Sequence, residues 1–305
     1  MTDVYHEGEL AVQKMAGVEI IAERNSRSIN EHIPKGAVAF LGRQSLVITA
    51  SVDERGRVWS SIITGEPGFL YVNDKGELVI RSSPVLGDPL IQNLNSNNEL
   101  GLLVIDLSKR IRLRINGTGS FDENGWLVIT TTQVYGNCPK YIQNRYLHAN
   151  GVYQRLQSSE CRSQGLSPEQ QDWIRKSDTF FIGSVSAAGD VDASHRGGPP
   201  GFVQVMDERT LIIPDYFGNS MFNTLGNIYS NPSTGLLFID FLSGHSLQLT
   251  GRSEISWDEN KISKYPAAER LLVFKVDEVL FVDNGTDLSW EFVEYSPSNP
   301  GSVEQ

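Results

Sequence analysis

Ser194, His195 and Arg196 put a hydroxyl, an imidazole and a guanidinium on three consecutive residues, with Gly197-Gly198 directly after them. On a strand this set can hold an anion. The guanidinium brings charge and a forked donor, the hydroxyl and ring nitrogen add hydrogen bonds, and the glycines let a ligand approach the backbone. Gly218-Asn219-Ser220 stands just ahead of a helical segment, where free backbone amides would bind the same kind of group. A third stretch, Asn137-Cys138-Pro139-Lys140, sets a thiol beside a lysine and before an expected helix, which would lower the thiol pKa. No histidine and acid share that motif, so Cys138 reads as a packing residue rather than a nucleophile. Each feature has a plainer reading: Arg196 as a sheet-edge ion pair, His195 as a structural histidine, Gly218-Asn219 as a turn, Lys140 as a surface lysine.

These residues sit inside a repeat. Gly56 to Phe69 lies over Gly189 to Phe202 with both end glycines, Ser61 over Ser194, and a shared Pro-Gly-Phe. Asn93 to Asp106 then lies over Asn227 to Asp240, and Gly117 over Gly251, after one residue of slippage. The period is too long for a solenoid, whose units run to roughly 20 to 50 residues, and implies a duplicated domain. The copies differ where the chemistry is. Ser61-Ile62-Ile63 replaces Ser194-His195-Arg196, and Ser83-Pro84-Val85 stands near the place of Phe217-Gly218-Asn219. The segment from Asn137 to Gln143 has no counterpart after Val279.

Short runs rich in β-branched and aromatic residues, broken by Gly-containing turns, predict an all-β architecture in both halves. The strands expected in the first half are 45–52, 58–63, 69–72, 78–80, 100–107, 111–117 and 126–135. Those in the second are 179–185, 191–195, 202–206, 211–213, 235–241, 246–253 and 271–281. Helices are expected over 8–16, 89–96, 139–148, 168–176 and 220–230. The Asn-Gly-Thr triplets at Asn116 and Asn284 read as turns.

With 305 residues, 39% of them hydrophobic, the chain can build two cores. A net charge of −11 makes nucleic acid a poor partner. An acidic start and the absence of a long apolar run predict no secretory leader and no membrane span. Two cysteines, Cys138 and Cys161, point to the cytoplasm. The five histidines are too scattered to predict a metal site.

The run from Asp192 to Phe241, with Asp-x-Ser, Gly-x-Pro-Gly-Phe, Ile-Pro-Asp, Gly-Asn and Asn-Pro-x-x-Gly-Leu-Leu-Phe in series, resembles the pyridoxamine 5'-phosphate oxidase-like FMN-binding split barrels. The Cys-Pro-Lys-Tyr-Ile-Gln segment from Cys138 is similar to one found in flavin-binding relatives. The resemblance implies FMN held where two barrels meet, with the phosphate mainly on one of them. Ser194, His195, Arg196, Gly218, Asn219 and Ser220 would bind the cofactor from the second half. Asn137, Cys138 and Lys140 would contact the ring from the first, Lys140 stabilising its reduced anionic form. The parent oxidases carry an Arg and a Lys on the second strand and a Ser-Arg-Lys cluster after the fourth; here Gly218-Asn219-Ser220 is uncharged, which argues against pyridoxamine phosphate as substrate.

The expected organisation is a helical arm (1–35), a first split barrel with a degenerate phosphate site (36–157), a second that holds the phosphate (168–295) and a tail (296–305). The two barrels form an internal pseudo-dimer, and further pairing of chains is left open. The expected function is a flavin-dependent oxidoreductase acting on an unidentified small molecule with one FMN per chain. The alternatives are a flavin carrier or sensor without turnover, and a degenerate relative binding haem or another flat cofactor.

Overall fold

The structure, a computed structural model, describes residues 4–148 and 158–301. The parts of the expected arm, first barrel and tail at 1–3, 149–157 and 302–305 lie outside the described residues. Three helices, α1 (Glu7–Ala16), α2 (Glu19–Ser26) and α3 (Lys35–Leu41), precede the first sheet. That sheet comprises β1 (Leu46–Val52), β2 (Val58–Thr64), β3 (Leu70–Val72), β4 (Leu78–Ile80), β5 (Glu99–Asp106), β6 (Ile111–Phe121) and β7 (Leu127–Gly136), with α4 (Leu90–Ser96) between β4 and β5. After β8 (Asn144–Leu147), β9 (Ser159–Ser163) and α5 (Pro168–Lys176), the pattern returns. The second sheet has β10 (Thr179–Val185), β11 (Val191–Gly197), β12 (Gln204–Asp207), β13 (Thr210–Tyr216), β14 (Ser233–Ile239), β15 (Ser246–Ser256) and β16 (Ala268–Asp283). The helix α6 (Asn223–Ser230) occupies the place of α4, while a short α7 (Glu259–Ile262) precedes β16 and β17 (Trp290–Glu294) closes the chain.

The sheet orders, β2-β1-β5-β6-β7-β4-β3 and β11-β10-β14-β15-β16-β13-β12, correspond strand for strand and are antiparallel throughout. The protein is mostly β, two split barrels with a few short helices. Strands alternate their faces, and this divides the apolar runs between cores. Along β1, Val47 enters the first barrel's core while Leu46, Ile48, Ala50 and Val52 enter a core shared with the other barrel. Along β10, Phe180 and Ile182 face the second barrel's interior, and Phe181 and Val185 face the shared core. Strands wetted on neither face need no polar alternation, which is why Leu-Leu-Val-Ile and Leu-Leu-Phe-Ile read as continuous apolar runs. Two glycines let the barrels touch: a Cβ on Gly101 of β5 would sit 2.7 Å from the Asp192 backbone, and one on Gly235 of β14 would sit 2.7 Å from the Val58 carbonyl.

The structure corrects the sequence reading in two places. Residues 139–148 form no helix. Pro139 begins a turn, Tyr141 takes a left-handed φ of 64°, and β8 pairs with β17 instead. The reason is tertiary: Arg145 on β8 is buried against Asp178 at 2.7 Å, and Gln143 spends both ends of its amide on Asn299. Asn116 is not in a turn but inside β6, 8% exposed. Beyond these, α3, α7, β8, β9 and β17 carry no clear periodicity and are additional to the expected elements, while α2 falls within the expected helical arm; β9 is added to the second sheet beside β16.

Candidate functional site

The seam between the barrels holds a cleft, formed where β11 of the second half meets β6 and the turn after β7 of the first. It has two adjoining chambers. One, about 60 Å³, is lined by Arg112, Asn137, Cys138, Lys140, His195 and their neighbours; the other, about 100 Å³, by Asp215, Ser220, Glu269, Arg270 and their neighbours. Both are bordered by Arg114, Arg196, Tyr216, Gly218 and Asn219. All nine residues singled out in the sequence therefore meet here, drawn from both halves of the chain.

Ser194 is buried on β11 and accepts a hydrogen bond from Arg114. His195, the next residue, turns its ring toward Phe181 and the cleft. Its Nδ1 lies 3.1 Å from Arg112 Nη1, and its buried Nε2 has no partner. Burial first, then the guanidiniums of Arg112, Arg196, Arg145 and Arg114, hold its pKa well below the usual histidine value, so the ring is neutral. Arg196 reaches one Asp215 oxygen at 3.3 Å, while Arg270 takes the other at 2.7 Å. Gly218 borders both chambers, and Ser220 holds a φ of 60° just ahead of α6. Asn219 donates to Asn137 Oδ1 at 2.5 Å and caps the Met221 amide at 3.0 Å. The buried Nδ2 of Asn137 has no partner.

Cys138 lies on a turn, not at a helix start, with its Sγ 3.9 Å from Arg112 Nη2. Lys140 lies with Nζ 4.4 Å from the centre of the Phe217 ring, and the Tyr141 hydroxyl donates to the Phe217 carbonyl at 3.0 Å. Those contacts tie the turn of the first half to the second half across the cleft mouth.

Sequence reasoning missed the two arginines of β6. Arg114 is buried, pairs with Asp192 at 2.9 Å and lies near the Tyr135 hydroxyl. Burial opposes its charge, but Asp192 and Tyr135 outweigh this and push its pKa up. Arg112 is different. No carboxylate pairs with it among the described residues, its buried Nε has no partner, and burial with the nearby Arg114 pushes its pKa down to about 10. The signal was present in the repeat: by strand register Arg112 and Arg114 correspond to Ser246 and Gln248, a change of the same kind as Ile62-Ile63 against His195-Arg196.

The pseudo-equivalent place on the other side of the seam is filled. Trp59 stands where the second barrel has Asp192 and packs with Leu280, Val282 and Val85. Asp88 enters from the loop before α4, accepting from Ser61 and Gln248 at 2.7 Å each and from the Leu90 amide at 2.9 Å. The loop thus occupies the space that the cleft leaves open on the opposite side.

A sequence profile of pyridoxamine 5'-phosphate oxidase matches residues 166–283. That segment, under half of the chain, is similar to the pyridoxamine 5'-phosphate oxidase-like family. The oxidase-like segment contains β11, Gly218-Asn219-Ser220 and α6, the second-half wall of the cleft. No curated protein matches the chain in sequence. Among solved structures the chain is similar to an FMN-binding protein of Syntrophomonas wolfei, at 12% identity over 37% of this chain and 84% of that one, TM-score 0.29. It is also similar to a general stress protein 26-related protein of Clostridium acetobutylicum, described as of the pyridoxinephosphate oxidase family, at 14% identity over 41% and 92%, TM-score 0.29. A third is the haem storage protein HutZ of Vibrio cholerae, at 16% identity over 39% and 95%, TM-score 0.30. No helix of the described residues is long and apolar enough to cross a membrane.

Proposed function

We propose that the protein binds one FMN in the cleft between its barrels and acts as a flavin-dependent oxidoreductase on a small molecule. The observation that carries this is the set of buried nitrogens without partners in one place: Arg112 Nε, His195 Nε2 and Asn137 Nδ2. Unpaired buried polar groups cost about 1–3 kcal/mol each, and a flat, acceptor-rich, anionic ligand would satisfy them together. No carboxylate borders the chamber that holds them.

On this reading Arg196, Ser194 and the backbone of Gly218 to Ser220 hold the phosphate, with Arg270 behind them. Neutral His195, Arg112, Asn137 and Lys140 surround the ring, and Arg112 and Lys140 would favour its reduced, negatively charged form. The flavin, when bound, supplies the redox chemistry; the chain orients it, excludes water and sets its charge balance. The filled second place accounts for one ligand per chain. It also fits an origin by duplication and fusion of one barrel, followed by divergence of the two sites.

The test is loading with FMN and anaerobic addition of NADH or NADPH, then air. Bleaching and return of the yellow colour support the reading. Colour that neither nicotinamide bleaches shifts it to a carrier or sensor, and protein that cannot be loaded overturns it.

A further inference from the structure

A separate cavity of about 250 Å³ lies between α1, α6 and the adjoining faces of both barrels. We propose that it binds a small organic cation carrying a primary amine or guanidinium. Its described lining holds the carboxylates of Glu9, Glu99, Asp190 and Asp192 and the amides of Asn116, Gln133, Asn223 and Asn227, with no arginine or lysine. Two of these acids are engaged: Asp192 with Arg114, and Glu9 with Asn223 at 2.6 Å, the His6 amide at 2.9 Å and the His6 ring, which also lines the cavity, at 3.7 Å. Glu99 and Asp190 have no ion pair among the described residues, Asp190 accepting only from the Ser186 hydroxyl at 3.0 Å, and burial followed by the repulsion of Asp190 raises the Glu99 pKa. Asn116, 8% exposed, lines the same space, and its buried side-chain Oδ1 has no donor. Two acids without a cationic partner, Glu99 and Asp190, and a side-chain acceptor without a donor, Asn116 Oδ1, describe the complement of a cation with several N–H groups.

The other barrel provides an internal control. In the corresponding depression Arg57 stands where the second barrel has Asp190, pairing with Asp53 at 2.8 Å and Glu278 at 2.5 Å, and Arg162 pairs with Glu278 at 2.8 Å. There the chain neutralises its own acids; here it does not. A bare metal ion is the poorer fit, because no three His, Cys, Asp or Glu side chains among the described residues come close enough to share one. Small-molecule sites combine such enclosed space with a few placed polar groups.

Agmatine, which carries both an ammonium and a guanidinium, is the probe. Calorimetric titration of the full chain should show one agmatine bound, with or without FMN loaded. Glu99→Gln should weaken it about tenfold or more, and Asn116→Asp, the same size with an added charge, should tighten it. Binding at another stoichiometry, affinity unchanged in both variants, magnesium taken up in place of agmatine, or no heat at all overturns the proposal. Glu99 and Asn116 border neither chamber of the flavin cleft, so loss of FMN binding would not mimic any of these outcomes.

Discussion

Arg112 illustrates how a site can be marked by what it costs. A guanidinium withdrawn from water without a carboxylate is held against its own solvation, and its contacts with His195 and Cys138 offset only part of that. Arg112→Met should therefore raise the stability of the flavin-free protein by about 1–3 kcal/mol while lowering FMN affinity at least tenfold, read from urea midpoints and fluorescence titration. A variant that loses stability would show that Arg112 is a structural residue. His195 makes a pH prediction. Its folded pKa lies well below the value near 6.5 of the unfolded chain, so above about pH 6.5 it carries no penalty. As pH falls below that, the unfolded state takes up a proton the folded ring refuses, and stability declines by up to about 1.4 kcal/mol per pH unit until the folded pKa is reached. His195→Gln should flatten this decline between pH 6.5 and 5; an unchanged slope would mean that His195 titrates normally.

At the scale of elements, the turn after β7 acts as a strap. Lys140 over Phe217 and Tyr141 on the Phe217 carbonyl close a cleft whose chambers of about 60 and 100 Å³ are smaller than the roughly 300–1,000 Å³ of ordinary ligand pockets. On the proposed reading, FMN displaces the strap to enter. Phe217→Ala should thus speed FMN association severalfold in stopped-flow fluorescence, whereas an unchanged or slower rate would place the entry elsewhere. This element was also the one misread from sequence. Cys138 to Leu147 has a proline, two cations and no strand-like alternation, and only the burial of Gln143 and Arg145 against the other half decides its shape. The barrel strands were legible because turns punctuate them and because a second copy repeats them. The copies also exposed Ser194, His195 and Arg196 by contrast with Ile62 and Ile63. Arg112 and Arg114 lay open to the same comparison, but in the run Ile-Arg-Leu-Arg-Ile their alternation reads as a solvated strand face, and the partner barrel that buries that face is not visible locally.

Across the whole molecule the barrels share a core. Leu46, Ile48, Leu103 and Ile105 pack with Phe181, Ala193, Leu237 and Ile239, and the buried Arg145 and Asp178 pair joins the halves at 2.7 Å. Neither barrel can leave without exposing this surface, so unfolding should be a single transition that coincides by circular dichroism and tryptophan fluorescence. Two separated transitions would show the barrels to be independent. The same seam is asymmetric: Arg112, His195 and Arg196 line an open cleft on one side, while Asp88, Trp59 and Val85 fill the other. The direct measurement is the number of FMN molecules bound per chain, from flavin absorbance of saturated, desalted protein against its amino-acid content. A ratio of one that falls sharply in Arg196→Ala is the predicted result. A ratio of two, or a ratio of one left intact by that substitution, contradicts the account.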